Sequence, residues 1–519
     1  MQSICGTLLT VPAFAMSITP AKEVPPNIIV IMVDDMGWGD LECYPKGDAW
    51  GGDASISTPN INRLASEGVL CMQGYATGMV CSPSRAGMLT GRYQQKFGYY
   101  SFGEAMAPLP KDVPLLPEVL KNAGYRTGMI GKWHVSFLEG SRPMDRGFDR
   151  FFGFIGGQHD YFIPNLGQPI DNVVNGTDGY IFDQNKPVDS VDYLTAEFTG
   201  RALDFLQEFK KDSRPFFLYL AYNTPHPPLQ APWEDLEPYA AKRPNERFTS
   251  RDIVKAMVDV LDRDIGSLME SLAELGLDEN TLIVFTSDNG GHDDGPGGVV
   301  QHNGGLRSRK GFYYEGGVRV PFIVRWPAGL PAGKIYNEPV SQLDIFATAA
   351  AVAGVAGKNI PKNLDGVNLI PYLTGEKQNA PHELLFWSLA NRQVKWAVRS
   401  GKWKLVNDDM RPLPIQGGTK VDYQTQLYNL EDDPFETNDL ASKNPETVAR
   451  LTALMTGFHN SMAPSILTPA LNAALEKELA ERAKHPELVG WPRADGAPGH
   501  WIGAGAAVRL EAEKAAQNK

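Results

Sequence analysis

The chain has 519 residues, 42% hydrophobic and 21% charged, with a formal net charge of −12. That length supports one large domain with a smaller companion rather than a string of modules. The acidic balance argues against a general nucleic-acid binder, which needs a basic surface, but leaves room for a local cationic pocket.

The opening stretch, MQSICGTLLTVPAFAMS, has an apolar run followed by Ala13-Phe14-Ala15, an A-x-A-like cleavage site. Residues 1–15 are read as a signal peptide lacking its usual basic start, so export to a bacterial periplasm or beyond is expected. No later stretch reaches the roughly 18 apolar residues of a membrane span. Only four cysteines occur, Cys5, Cys43, Cys71 and Cys81, too few for a disulfide framework. Cys43 and Cys71 are either a pair or two buried thiols.

Short apolar runs then alternate with helical patterns, the signature of an α/β sheet covered by helices on both faces. NIIVIMV (27–33) reads as a buried strand ending in Asp34-Asp35. YRTGMIGKWH (125–134) is a shorter one with Lys132 and His134 at its exit. PFFLYLAY (215–222) runs into Asn223-Thr224-Pro225-His226, and TLIVFTS (281–287) closes on Asp288-Asn289-Gly290-Gly291. Helices are expected over 58–68, 82–91, 190–210, 250–275 and 341–354. A Gly/Pro-rich stretch (363–381) marks a boundary between a catalytic domain at 24–375 and a C-terminal α+β domain at 376–519. The latter holds strand-like 395–407 and 426–430, and from about residue 461 a tail that wraps the surface.

Four strand ends thus deliver acids, an amide, histidines and a lysine. Ligands of open α/β sheets bind beyond the carboxyl ends of the strands. Asp34, Asp35, Asp288 and Asn289 are hard oxygen donors, which suits calcium; magnesium stays open, and zinc would prefer nitrogen or sulfur. Arg85, Lys132, His134, His226 and Lys310 form a second set. Singly they read as surface charges or structural histidines, but around a divalent ion they suit a tetrahedral oxyanion.

CSPSRAGMLTGR (81–92) resembles the signature of type I sulfatases, Cys-x-Pro-Ser-Arg followed by Leu-Thr-Gly-Arg. VDDMGWGD, TPNINRLASEG, GKWH, RGFDRFFGFIGG, PHPPLQAP, TSDNGG, KGFYYEGGVRVP and QLYNLEDDPFETNDLA extend the resemblance, in family order, over about residues 27–441. It implies an alkaline-phosphatase-like α/β sandwich with a large mixed sheet, plus a smaller C-terminal domain built on an antiparallel sheet. It also implies that a maturation enzyme converts Cys81 to Cα-formylglycine, with calcium held by Asp34, Asp35, Asp288, Asn289 and residue 81 itself. Arg85, Lys132, His134, His226 and Lys310 match the family's remaining catalytic and sulfate-binding positions. The implied activity is hydrolysis of a sulfate ester by the aldehyde hydrate, with His226, helped by Lys310, protonating the leaving oxygen and His134 as base.

The implied substrate is a sulfated carbohydrate, with a galactose-based glycan such as carrageenan preferred. Other readings are a phosphatase or phosphonate hydrolase of the same superfamily, a sulfated-glycan-binding protein with Cys81 unmodified, or a cysteine hydrolase. Arg307-Ser308-Arg309 departs from the Arg-Gly-Gly common in relatives. It is either a solvated basic turn or, through Arg309, an extra cation for a second anionic group. Gln158, His159, Asp160, His302, Trp387 and Arg392 are candidates for the pocket rim.

Overall fold

The computed structural model describes residues 25–45, 56–138, 140–162, 181–188, 192–240, 249–292, 301–389, 395–408 and 425–467. The signal-peptide reading of residues 1–15, Arg392 and the tail beyond residue 467 lie outside the described residues.

The apolar run Asn27–Val33 forms β1, rich in residues that favour a pleated, packed surface. Alternation sends Ile29, Ile31 and Val33 into one hydrophobic cluster and Ile28, Val30 and Met32 into another. A strand with two apolar faces belongs at the centre of a doubly covered sheet. The remaining strands of that sheet are β2 (Val69–Cys71), β3 (Arg126–Lys132), β4 (Arg150–Phe154), β5 (Phe182–Asp183), β6 (Lys186–Pro187), β7 (Phe216–Ala221), β8 (Thr281–Ser287), β9 (Phe322–Arg325) and β10 (Lys334–Tyr336). Their order across the ten-stranded sheet is β10-β2-β9-β8-β1-β7-β3-β4-β5-β6. The central run β8-β1-β7-β3 is parallel throughout, so four neighbouring strands point their carboxyl ends the same way.

Helices α1 (Pro59–Ser66), α3 (Leu194–Lys210) and α4 (Ser250–Glu274) cover one face; α2 (Cys81–Thr90) and α5 (Leu343–Val352) help cover the other. Start signals are local. Pro59 opens α1, where its fixed φ fits and its missing N–H costs nothing. Asp262 of α4 accepts hydrogen bonds from the Asn60 and Ile61 amides at 3.1 and 2.8 Å, occupying donors that the helix leaves free. All ten residues of α2 are buried, and it stops at Gly91, whose φ of 62° suits glycine.

A four-stranded antiparallel sheet forms the C-terminal part, from β11 (Leu384–Leu389), β12 (Lys395–Ser400), β13 (Trp403–Asn407) and β14 (Gln426–Asn429). The 395–407 run is therefore a hairpin, turning at Gly401 with φ 55°. One face, including Trp396, Val398, Leu405 and Leu427, packs on Leu451, Met455 and Phe458 of α6 (Pro445–Asn460). The other, including Trp387, Ala397 and Tyr428, packs on Tyr75, Met79, Phe312 and Tyr314. The 363–381 stretch is a packed strap. It contains the short helix Ile370–Thr374, buries Leu369 and Leu373, and its Asp365 amide donates to the Gly91 carbonyl at 2.9 Å. Residues 463–466 run back over the large domain, with Ala463 and Ile466 amides donating to the carbonyls of Gln95 and Gly98, both at 3.0 Å. Cys43 and Cys71 are free thiols. No helix among the described residues is long and apolar enough to cross a membrane.

Candidate active site

The four parallel strand ends meet as the sequence pattern predicts. β1 delivers Asp34 and Asp35, β8 delivers Asp288 and Asn289, β3 ends at Lys132 and leads to His134, and the loop after β7 carries His226. Helix α2 adds Cys81 in its first turn and Arg85 one turn later. All of these side chains are buried.

Arg85 forks onto Asp288 Oδ2 through Nε and Nη2 at 3.0 and 2.8 Å, and its Nη1 donates to the Lys132 carbonyl at 2.9 Å. Lys132 Nζ pairs with Asp34 Oδ2. Lys310 Nζ lies 2.7 Å from Asp35 Oδ1, and Asn289 Nδ2 donates to the same oxygen at 2.7 Å. His226 Nε2 is 3.7 Å from Asp35 Oδ2, and Cys81 Sγ is 3.1 Å from His134 Nδ1. Asp35 and His134 both sit at positive φ, 63° and 49°, a strain that persists where surrounding contacts over-determine the backbone.

The electrostatics separate the groups. Burial would raise the Asp35 carboxyl, but Lys310 foremost, and after it the His226 and His292 imidazoles, outweigh it and hold it low. Burial and then the Asp34 charge push Asp288 up to about 6, despite Arg85. Burial, joined by Lys132 for His134 and by Lys310 for His226, holds both imidazoles well below their ordinary range. Burial pushes the Cys81 thiol up, the opposite of what a thiolate nucleophile needs.

A divalent cation fits this cluster. Oδ1 of Asp34 and Oδ1 of Asn289 are buried without a hydrogen-bond partner among the described residues. Such groups are costly unless something satisfies them. Single ligand atoms of Asp34, Cys81 and Asp288 lie within 4.8 Å of one another, as do those of Asp34, Asp35 and His226. Three carboxylates are offset by Arg85, Lys132 and Lys310, so an added divalent cation leaves net positive charge for an anionic ligand. The hard-oxygen donor set suits calcium or magnesium.

The rim candidates divide. Trp387 is a core residue: it is 1% exposed and its indole donates to the Ala76 carbonyl at 2.7 Å. His159 is buried against Phe154, and Asp160 accepts from Gln230 Nε2 at 2.5 Å, so both brace their own loop. The His302 amide donates to Asp40 at 3.0 Å and its ring accepts from the Gly304 amide at 3.0 Å. Gln158 and Arg309 are partly exposed, with Arg309 over the Phe312 ring at 5.2 Å. Arg307 is no solvated turn residue. Its guanidinium donates to Tyr428 Oη at 2.7 Å and lies over Tyr314. Ser308 sits at φ 69°, which explains why glycine suits that position.

Three supporting residues carry no motif of their own. The Tyr161 hydroxyl reaches the carbonyls of Asn223 and His226 at 2.6 and 3.0 Å, and Gln301 Nε2 donates to the Pro225 carbonyl at 2.8 Å. They fix the loop that carries His226. His292, close enough to lower Asp35, directly follows the TSDNGG run, the one signal that would have found it.

Gly157 is a fourth. A Cβ there would lie 2.8 Å from both Cε1 and Nε2 of His134, closer than real side chains approach. Gly157→Ala is therefore expected to push the imidazole off Cys81. Since ångström-scale misplacement of a reacting group costs up to ~10²-fold, kcat should fall on that scale. The unfolding temperature should hold, because the atom that must move is a side-chain tip. Steady-state kinetics beside thermal unfolding checks this.

Comparison with known proteins agrees with this geometry. The family model described as Sulfatase matches residues 26–355, and one described as N-sulphoglucosamine sulphohydrolase, C-terminal, matches residues 308–460. The chain is similar to N-acetylgalactosamine-6-sulfatase of Canis lupus familiaris, 30% identical over 86% of this chain and 88% of the relative. It is similar to human arylsulfatase A, 32% identical over 83% and 87%. Among solved structures it resembles Ps i-CgsB in complex with k-i-k-neocarrahexaose, at TM-score 0.73 and 31% identity, covering 89% of this chain and 99% of that one. The chain belongs to the sulfatase family and is an enzyme of the sulfuric ester hydrolase kind.

Proposed function

We propose that the enzyme removes sulfate from a sulfated carbohydrate, using Cα-formylglycine made from Cys81 and a calcium ion. The observation that carries this reading is the convergence of Cys81, five basic or imidazole side chains and a cluster of buried oxygens at four parallel strand ends. Asp34, Asp35, Asp288 and Asn289, with residue 81, would hold the ion. Bound there, calcium supplies charge neutralisation for sulfate oxygens, and the aldehyde hydrate supplies the nucleophilic oxygen.

The chain's own residues have separable tasks. Arg85 fixes Asp288 and, through the Lys132 carbonyl, the end of β3. Lys132 and Lys310 present positive charge where sulfate oxygens would lie, an electrostatic contribution prepared before the substrate arrives. His134, neutral and beside residue 81, is placed to accept a proton there. His226 Nδ1 lies 2.5 Å from the Pro227 carbonyl, which only accepts, so Nδ1 carries the proton and Nε2 titrates toward Asp35. The negative charge of a bound ester raises the proton affinity of Nε2, and His226, helped by Lys310, then protonates the departing oxygen.

The sugar preference rests on the resemblance to a structure solved with k-i-k-neocarrahexaose, and a galactose-based glycan is the proposed class. Arg309, adjacent to Lys310, is the proposed contact for a second anionic group. Export, conversion of Cys81 by a maturation enzyme, and a catalytic domain ending near residue 375 complete the reading. The test uses protein whose residue 81 is verified as formylglycine, assayed on paired nitroaryl sulfate and phosphate and on defined carrageenan oligosaccharides. A sulfate preference above about tenfold in kcat/KM, about 1.4 kcal/mol of transition-state discrimination, is expected, with sulfate released from the oligosaccharides. A phosphate preference overturns the chemistry; inert oligosaccharides with an active nitroaryl sulfate overturn the sugar class.

A further inference from the structure

The QLYNLEDDPFETNDLA stretch lies in the C-terminal part, yet its one fully buried carboxylate points into the large domain. Glu436 follows β14 and is 0% exposed. Its backbone carbonyl accepts from Arg307 Nη1 at 2.8 Å. Its Oε2 accepts from the Glu315 amide at 2.7 Å. One residue therefore grips both ends of the 307–315 segment, and Lys310 lies between those ends.

The surrounding contacts reinforce this grip. Lys404 of β13, also 0% exposed, bridges Glu436 Oε1 at 3.0 Å and Glu315 Oε1 at 2.8 Å. Asp408, just past β13, accepts from the Tyr313 amide at 3.0 Å and pairs with buried Lys395 at 2.8 Å. On the other side, the Lys310 and Gly311 amides donate to the carbonyls of Gly291 and Met79 at 3.1 and 2.8 Å. The segment is thus clamped between the C-terminal sheet and the catalytic loops. Glu436 itself holds φ 53°, a backbone state that bulky residues adopt only when contacts enforce it.

We propose that Glu436 is a positioning residue which, with Lys404 and Asp408, fixes the 307–315 segment and so sets where Lys310 meets Asp35 and His226. The inference rests on the reading of Lys310 as assisting protonation of the leaving oxygen. The C-terminal sheet then acts on the chemistry without touching substrate. A loosened segment should cost rate where the leaving group needs a proton and little where it does not.

The experiment compares kcat for a sugar sulfate, a poor leaving group, with kcat for a nitroaryl sulfate, a good one. Glu436→Gly keeps the left-handed backbone and the carbonyl contact to Arg307 and removes only the side-chain grip. Glu436→Gln keeps an acceptor for the Glu315 amide and serves should the glycine variant not fold. Leu427→Ala, on the opposite face of the sheet, loosens the C-terminal part without touching the segment.

For Glu436→Gly, kcat on the sugar sulfate should fall at least ~tenfold, within the ~10²-fold range of ångström-scale misplacement, while the nitroaryl rate holds within about threefold. Glu436→Gln should recover part of the loss, and Leu427→Ala should lower the unfolding temperature without leaving-group selectivity. Equal losses on both substrates, or no loss, in a folded Glu436 variant overturn the positioning role. Lys310→Ala runs in parallel. If it too shows no leaving-group selectivity, the protonation reading of Lys310 is what fails, and the positioning role falls with it. If Lys310→Ala is selective and the Glu436 variants are not, only the positioning role falls.

Discussion

Cys81→Ser is expected to yield a folded protein whose turnover is lower by at least ~10³-fold, the scale on which loss of a nucleophile acts. The substitution exchanges one small buried side chain for another in the first turn of a helix whose ten residues are all buried. It opens no cavity and disturbs no ion pair, so thermal unfolding should match the parent. What disappears is chemical: serine offers one hydroxyl where the proposed aldehyde hydrate offers two, and on that reading the second hydroxyl, once deprotonated, would become the aldehyde oxygen as the carbon–oxygen bond to sulfate breaks. Mass spectrometry of the tryptic peptide ending at Arg85 reports the state of residue 81, and steady-state kinetics reports the loss. Full turnover by protein with an unmodified thiol at residue 81 would sink this chemistry. The raised thiol pKa already points away from a plain cysteine nucleophile.

Much of this centre is legible in the sequence because strand, strand end and ligand follow one another without a gap. In NIIVIMVDD the apolar run must be buried on both faces, so the next two residues emerge at its carboxyl end. TLIVFTSDN repeats the pattern, and parallel pairing of β1 with β8 brings the two acid groups together. Pairing is the part that local pattern does not encode, since β9 joins the same sheet antiparallel through only four register positions with β8. Buried polar struts were the other blind spot. Arg307 reads as a solvated charge and Trp387 as a rim aromatic, yet each is consumed by a specific partner on another element, Tyr428 and the Ala76 carbonyl. Residue type does not reveal such a partner when it lies 121 or 311 positions away. Glu436 is the sharpest instance: within EDDPFETND it looks like one more surface acid, and only the fold shows that it reaches the Lys310 segment.

Arg85→Ala should damage both stability and rate, unlike the Cys81 variant. Its guanidinium is fully buried, forks onto Asp288, and lies 3.6 Å from Asp34. Removing it leaves two buried carboxylates facing each other, and breaking a buried ion pair from one side costs about 3–5 kcal/mol. The Asp288 carboxyl, already raised by burial and Asp34, should rise further, because Arg85 is the nearby cation that most lowers it. A calcium ion held there, as proposed, would offset part of that repulsion, so chelation should destabilise Arg85→Ala more than the parent. Arg85→Lys restores charge but not the fork that also reaches the Lys132 carbonyl, so it should recover much of the stability and little of the rate. Loss of one preorganised donor set of this kind costs about 10²–10³-fold in kcat. Denaturant unfolding with and without chelator, beside kinetics on a nitroaryl sulfate, checks both halves. An Arg85→Ala protein as stable as its parent would show that the acid cluster does not depend on this pair, and would remove Arg85 as the residue holding Asp288.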